Sequence, residues 1–230
     1  MKYISVAIDG PAGAGKSSVS KAAAKKIGYT YIDTGAMYRA MALFGIENNI
    51  NLESEKEKLV SMLDDVDIEI RYIDDSQRVF LNGIDVSQSI RQEMVSVGAS
   101  NVAVIPQVRE KLVELQRKMA KSDNVIMDGR DICSYVLPNA DVKIFLTASS
   151  DARAKRRYDE LTAKGIECEF EKIKADMEYR DKNDSQRTVA PLKKADDATL
   201  IDTTDFDFDE SVEAVLTLIR KRVEEVENAL

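Results

Sequence analysis

The sequence predicts an α/β fold, a mostly parallel sheet covered by helices on both faces, and three observations carry that expectation. Short, largely apolar runs recur along the chain: Tyr3 to Ile8, Tyr29 to Ile32, Asn124 to Met127, Val142 to Leu146 and Ala198 to Ile201. Each has the length of one strand, and each is followed by polar residues, the pattern of strands buried on both faces. Helical stretches separate the runs, the rhythm of βαβ units. A glycine-rich segment follows the first run directly and opens a helix.

Taken in order, Tyr3 to Ile8 ends in Asp9-Gly10 and reads as a buried strand. Lys16 to Ile27 reads as a helix, with Gly28 placed as its C-terminal stop. Tyr29 to Ile32 is a second strand, followed by Asp33-Thr34-Gly35. From Val66 to Val86 the apolar period changes to two, as in Asp67-Ile68-Glu69-Ile70-Arg71-Tyr72 and Arg78-Val79-Phe80-Leu81, with Asn82-Gly83 turn chemistry after it. This stretch reads as a small antiparallel insertion. Asp151 to Arg187 is charged, helical and rich in arginine, with Gly165 interrupting it. Such helices beside a catalytic sheet suit a mobile lid; a plain solvated hairpin is the alternative. From Asp209 onward, Val212, Val215, Leu216, Ile219, Val223 and Val226 form one apolar helix face that packs on the sheet. There is no repeat, low-complexity tract or separating linker.

The 230 residues suit one globular unit with an insertion or two. The formal net charge is −8, from 33 basic and 41 acidic residues. That total argues against a general nucleic-acid or anionic-membrane binder, whose affinity comes from clustered positive charge. Two cysteines, Cys133 and Cys168, cannot make a disulfide framework or a zinc site and are expected to be reduced thiols. Histidine is absent. Its absence excludes Ser-His-Asp and Cys-His catalysis, imidazole bases and His-bound metals. Chemistry must then run on carboxylates, cations, backbone amides and a borrowed metal ion. With no signal segment and no apolar run near the roughly 20 residues of a membrane span, a cytoplasmic location is expected.

Gly10-Pro11-Ala12-Gly13-Ala14-Gly15-Lys16-Ser17 matches the phosphate-binding loop G-x-x-x-x-G-K-[ST], with Ser18 following, a buried strand before it and a helix after it. Glycines let the backbone curl so that successive N–H groups point inward at phosphate oxygens, and the helix adds its positive end. Lys16 is expected to reach the β- and γ-phosphates, and Ser17 to hold Mg²⁺ through the nucleotide. Asn124-Val125-Ile126-Met127-Asp128 is a strand ending in a carboxylate, which makes Asp128 a further candidate near Mg²⁺, though many strands end in Asp simply to start a turn.

Switches, motors and kinases share such a loop. A GTPase needs an N/T-K-x-D stretch after a late strand, and here Thr147-Ala148-Ser149-Ser150 follows Leu146. Arginines are plentiful instead: Arg39, Arg109, Arg130, Arg153, Arg156, Arg157, Arg180 and Arg187. Arg153, Arg156 and Arg157 share a helix face by spacing, as do Arg180, Asp184 and Arg187. Singly, each fits a surface ion pair. Together they suit phosphoryl transfer, where two anionic phosphates must meet and planar guanidinium forks grip phosphate bidentately.

Further stretches match a known family: Ile8-Asp9-Gly10, Asp33-Thr34-Gly35-Ala36-Met37-Tyr38-Arg39, Ala99-Ser100-Asn101-Val102-Ala103, Pro106-Gln107-Val108-Arg109, Asp128-Gly129-Arg130-Asp131, Val142-Lys143-Ile144-Phe145-Leu146, Tyr179-Arg180-Asp181 and Arg187-Thr188-Val189-Ala190-Pro191-Leu192. In this order, over nearly the whole chain, they resemble the bacterial cytidylate kinases, P-loop nucleoside monophosphate kinases. The resemblance implies a five-stranded, mostly parallel P-loop core over residues 1–35, 105–150 and 190–230. It also implies a monophosphate-binding insertion over about 36–104 and a lid over about 151–189. The implied activity is transfer of the γ-phosphoryl group of ATP to CMP or dCMP, with Mg²⁺ accompanying ATP, by a monomer that has no nucleic-acid or membrane partner.

The resemblance also assigns residues. Gly10, Pro11, Ala12, Gly13, Ala14, Gly15, Lys16, Ser17, Ser18, Arg156 and Arg157 would contact ATP. Arg39 and Arg130 would grip the acceptor phosphate, Ser100, Arg109 and Asp131 would read the cytosine edge, and Thr34, Tyr38 and Asp128 would also contact CMP. Arg180 and Asp184 would contact the ribose, and Arg187 would lie between base and phosphate. Lys16, Arg130, Arg153, Arg157 and Arg187 would supply catalytic charge. An acceptor such as Asp131 gains a bond from the cytosine amino group and meets repulsion from the uracil carbonyl, a preference of about ten- to a hundred-fold. A preference for UMP, or for both bases, is the nearest alternative; a regulatory nucleotide-binding protein or an ATPase without an acceptor is a more distant one. In one place the chain departs from the family. Cys133-Ser134 stands where Gly-Thr is usual, so the turn near Asp131 is expected to be reshaped or to need a compensating φ. Cys133 itself is expected to be inert.

Overall fold

A computed structural model describes residues 3–73 and 76–227. The elements run β1 (Ser5–Asp9), α1 (Lys16–Ile27), β2 (Thr30–Asp33), α2 (Thr34–Glu47), α3 (Lys56–Ser61), β3 (Ile68–Ile73), β4 (Ser76–Leu81) and β5 (Ile84–Asp85). They continue with α4 (Glu93–Val102), α5 (Pro106–Met119), β6 (Val125–Gly129), β7 (Val142–Thr147), α6 (Ser150–Ala163), α7 (Phe170–Ser185), β8 (Thr199–Asp202) and α8 (Phe208–Glu227). Two compact units result, one of Met1–Tyr31 with Ala120–Leu230 and one of Ile32–Met119.

A five-stranded sheet has the order β2-β6-β1-β7-β8. Strand β1 pairs in parallel with β6 and β7, and β7 pairs in parallel with β8. All five apolar runs of the sequence are therefore strands of one sheet, and the predicted α/β class holds. Because β1 is central and parallel to both neighbours, its C-terminal end opens beside those of β6 and β7. That is where ligands bind in open parallel sheets. Val6, Ile8, Ile126, Ile144 and Leu146 are fully buried under α1 and α8. In α8 the predicted face is buried at Val212, Val215, Leu216 and Ile219, with Val223 partly buried. The side chain of Val226 lies outside the described residues. Helix α1 ends as its sequence requires: Gly28 sits at φ 71° and donates its N–H to Ala24 O.

In the second unit β3, β4 and β5 form a separate antiparallel sheet. Asn82 at φ 49° and Gly83 at φ 80° join Leu81 to Ile84 by the two-residue turn that their chemistry favours. Helix α2 is buried on nearly every side, with Met37 and Met41 fully enclosed. At Gly98 of α4 an added Cβ would lie 2.8 Å from the end of the Leu52 side chain and 3.2 Å from Ala42 Cβ, so the missing side chain lets α4 pack closely there.

Candidate active site

The phosphate loop emerges from β1 with Gly10 at φ 153°, Gly13 at φ 71° and Gly15 at φ 84°, conformations that side chains resist. Gly10 is also sterically required, since a Cβ there would lie 1.9 Å from Leu146 O. The first turn of α1 carries no acidic residue and no side-chain cap, an arrangement that suits an anion at the amides that begin the helix.

Lys16 is buried and donates to Pro11 O at 2.7 Å. Burial, then the neighbouring Arg130, pulls its ammonium down to a pKa of about 7, against the upward pull of Asp128, Asp9 and Asp181. Depression of this pKa below its ordinary 10.5 means that the folded chain prefers the neutral amine. The resulting stability is present above the unfolded pKa and is lost as pH falls through about 7. We therefore expect Lys16→Met to be more stable than the parent at about pH 6, with the gap shrinking by about pH 9. Urea midpoints at the two pH values measure this; an unchanged gap would show that Lys16 is not strained by burial.

Asp128, at the end of β6, accepts from Ser17 Oγ at 2.8 Å on one oxygen and from Tyr31 Oη at 2.8 Å on the other. The two residues expected near Mg²⁺ thus meet, and their hard oxygen donors suit that ion. Among the described residues no group of three or more Cys, Asp or Glu could hold a metal unaided.

The turn after β6 carries Arg130 and Asp131. Arg130 Nε donates to Asp184 at 2.8 Å, and Arg187 donates to the other Asp184 oxygen. Burial would raise the Asp184 pKa, but Arg130, Arg187 and Arg180 overrule it and hold the carboxyl below its usual range. Of the residues assigned by resemblance, the structure therefore gathers Arg130, Asp184 and Arg187 in contact, with Arg180 close enough to act on Asp184. Asp131 is buried at the start of a wide turn, Ile132–Val136. In the second unit Arg109 is fully buried, donates to Ala103 O and lies with its guanidinium carbon 5.8 Å from the Tyr38 ring centre. Thr34 and Ser100 are buried, and Arg39 pairs with Asp33 at 2.8 Å.

The three arginines of α6 diverge. Arg153 turns inward and donates to Ala12 O at 2.6 Å, to Asp181 at 2.6 Å and to Ala148 O at 3.0 Å. Arg156 donates to Thr203 Oγ1 and to the carbonyls of Thr203 and Phe206. Arg157 pairs with Glu160 at 2.9 Å. Cys133 keeps a negative φ and is buried with its thiol directed at Ala7 O and Ile144 O. The turn thus accommodates the missing glycine without a left-handed residue. Burial, with the Asp9 charge, pushes the Cys133 thiol far up, so it is an inert packing group.

Two working carboxylates escaped the sequence reading. Asp181 accepts from Ala12 N–H at 2.8 Å as well as from Arg153. Asp9 is fully buried and accepts the N–H groups of Ile132 and Cys133, each at 2.8 Å. Burial dominates and lifts the Asp9 pKa to about 6. Both lie inside stretches that resemble the family, Ile8-Asp9-Gly10 and Tyr179-Arg180-Asp181, and that was the only signal available for them.

A glycine-bearing phosphate loop closed by a buried lysine, with an Asp–Ser pair at the neighbouring strand end and an arginine–carboxylate cluster beside it, defines a P-loop kinase. A gluconokinase from Sinorhizobium meliloti 1021 shares the fold, with a TM-score of 0.50 and 14% identity over 100% of this chain and 99% of that one. The cytidylate kinase family model matches residues 6–221. A cytidylate kinase of Caldicellulosiruptor saccharolyticus is 52% identical over 221 residues, 96% of this chain and 97% of that protein. One from Geobacillus sp. (strain WCH70) is 49% identical over 220 residues, covering 96% and 98%. The chain belongs to the cytidylate kinase family.

Proposed function

We propose that the protein transfers the γ-phosphoryl group of ATP directly to CMP and dCMP, giving CDP or dCDP and ADP. The observation that carries this reading is the pairing, inside one unit, of the Lys16 phosphate loop with the Arg130–Asp184–Arg187 cluster. The loop suits a triphosphate, and the cluster offers guanidinium groups to a second anion. An acceptor that is already a phosphate needs little deprotonation, so no histidine base is required and no covalent enzyme intermediate forms.

Lys16 and the curled amides bind the donor phosphates, and Arg130 and Arg187 orient the acceptor phosphate, with Arg39 as a further grip. Arg153 and Arg157 supply charge from α6, and Arg156 and Arg157 are proposed to contact ATP. Ser100, Arg109 and Asp131 read the base, and Arg180 and Asp184 hold the ribose. Ser17 and Asp128 would hold Mg²⁺, which when bound with ATP neutralises developing charge on the phosphates. The rate then comes from positioning and charge neutralisation. Residues 36–104 are proposed as the monophosphate-binding insertion and 151–189 as a lid that excludes water.

The protein is proposed to work as a cytoplasmic monomer without nucleic-acid or membrane partners. Its net charge of −8 argues against a general nucleic-acid or anionic-membrane binder. No helix among the described residues is long and apolar enough to cross a membrane.

The test is a panel of CMP, dCMP, UMP and purine monophosphates offered with ATP and magnesium. CDP and dCDP should form much faster than any other diphosphate. A folded sample that binds ATP and yields no CDP would overturn the reading, and faster UMP turnover would replace the base assignment of Asp131.

A further inference from the structure

Asp9 ends β1 one residue before the phosphate loop, in register with Gly129 at the end of β6. Its side chain has no exposed surface, and its two oxygens are taken by two consecutive amides, Ile132 N–H and Cys133 N–H, at 2.8 Å each. These amides open the wide turn Ile132–Val136, which closes through Tyr135 N–H and Val136 N–H to Asp131 O and Leu137 N–H to Ile132 O. Asp131, the residue before that turn, does not cap it with its own side chain. The first donors of the turn would be buried orphans without a carboxylate from the adjacent strand. Asn or Gln offers only one acceptor oxygen, and its amide hydrogens would face one of the N–H groups.

We propose that Asp9 is a positioning residue that bolts the turn carrying Arg130 and Asp131 onto the strand leading into the phosphate loop. Strand pairing with β6 and β7 keeps Asp9, and Gly10 after it, in place whatever the side chain does. Arg130 and Asp131, by contrast, immediately precede the amides that the carboxylate holds, so its loss frees the turn and leaves the loop where it is. Since both oxygens face N–H donors, Asp9 is not aimed at a substrate proton and acts through the groups around it. The donor cradle and the acceptor-side residues of this unit share one fixed point. The inference deepens the proposed function and rests on it for its kinetic arm alone.

The test uses the full chain and the Asp9→Asn variant, read in two ways. In hydrogen exchange, the amides of residues 132 and 133 should exchange at least about ten-fold faster in the variant, with the β1 and β6 amides unchanged. In steady-state kinetics the KM for CMP should rise about ten-fold while the KM for ATP stays within about two-fold. Unchanged protection at 132 and 133 would overturn the proposal, as would equal movement of both KM values. If the parent enzyme does not phosphorylate CMP, the functional reading fails and exchange alone decides the role of Asp9. Should the variant not fold, exchange in the parent decides: protection at 132 and 133 matching the strand amides supports the bolt, and turn-like exchange removes it.

Discussion

Lys16→Ala should lower turnover roughly a thousand-fold, the scale of removing a cation that meets the transferring phosphoryl group. The ammonium is buried and rests on Pro11 O at 2.7 Å, a neutral acceptor. Burial and Arg130 strain its charge against the pull of Asp128, Asp9 and Asp181, and a bound triphosphate would add an anionic partner of its own. The charge is worth most in the transition state, where negative charge spreads over oxygens shielded from water. Fold should survive the change, because alanine removes a strained buried cation rather than a packing group. Rapid-quench turnover with saturating ATP and CMP measures the effect. A loss of only a few-fold, in a folded variant, would mean that this loop is not the cradle for the reacting phosphates.

Arg130→Ala should raise the acceptor KM and lower kcat, for a combined loss of about ten- to a hundred-fold in kcat/KM, while ATP affinity stays nearly unchanged. Arg130 holds one Asp184 oxygen at 2.8 Å, and Arg187 holds the other. Removing Arg130 therefore costs more than one phosphate contact, because Asp184 keeps its burial and loses the first of the cations that hold its pKa down. Arg187 would be drawn more tightly to that carboxylate and be less available to an acceptor. Direct titration of ATP into the variant supplies the control. An equal loss of ATP binding would place Arg130 at the donor instead.

What the sequence could reveal follows from where partners lie along the chain. The phosphate loop was legible because its eight residues and flanking elements are contiguous, Gly10 to Ser17 between β1 and α1. Gly28 and Asn82-Gly83 were legible for the same reason, each requiring a positive φ at a local turn. The five buried strands were legible because parallel strands covered on both faces show as apolar runs. Asp9 and Asp181 were not, since their partners are far away in sequence: Asp9 meets an amide 123 positions on, and Asp181 meets one 169 positions back. Helical periodicity placed Arg153, Arg156 and Arg157 on one face of α6. It could not say that their long side chains would take separate partners in Ala12 and Asp181, Thr203 and Phe206, and Glu160. Helix α2 is buried on nearly every side, so it shows no clean apolar stripe to read.

Ala12 is gripped through both of its backbone polar groups, its N–H by Asp181 and its C=O by Arg153. A loop rich in glycine would otherwise sample many shapes when empty, and each binding event would have to freeze it again. Held this way, the loop is preorganised: less entropy is lost when an anion is captured, so affinity need not come from a large contact area. Glycine supplies the curvature here, and the two helices supply the stiffness that glycine lacks.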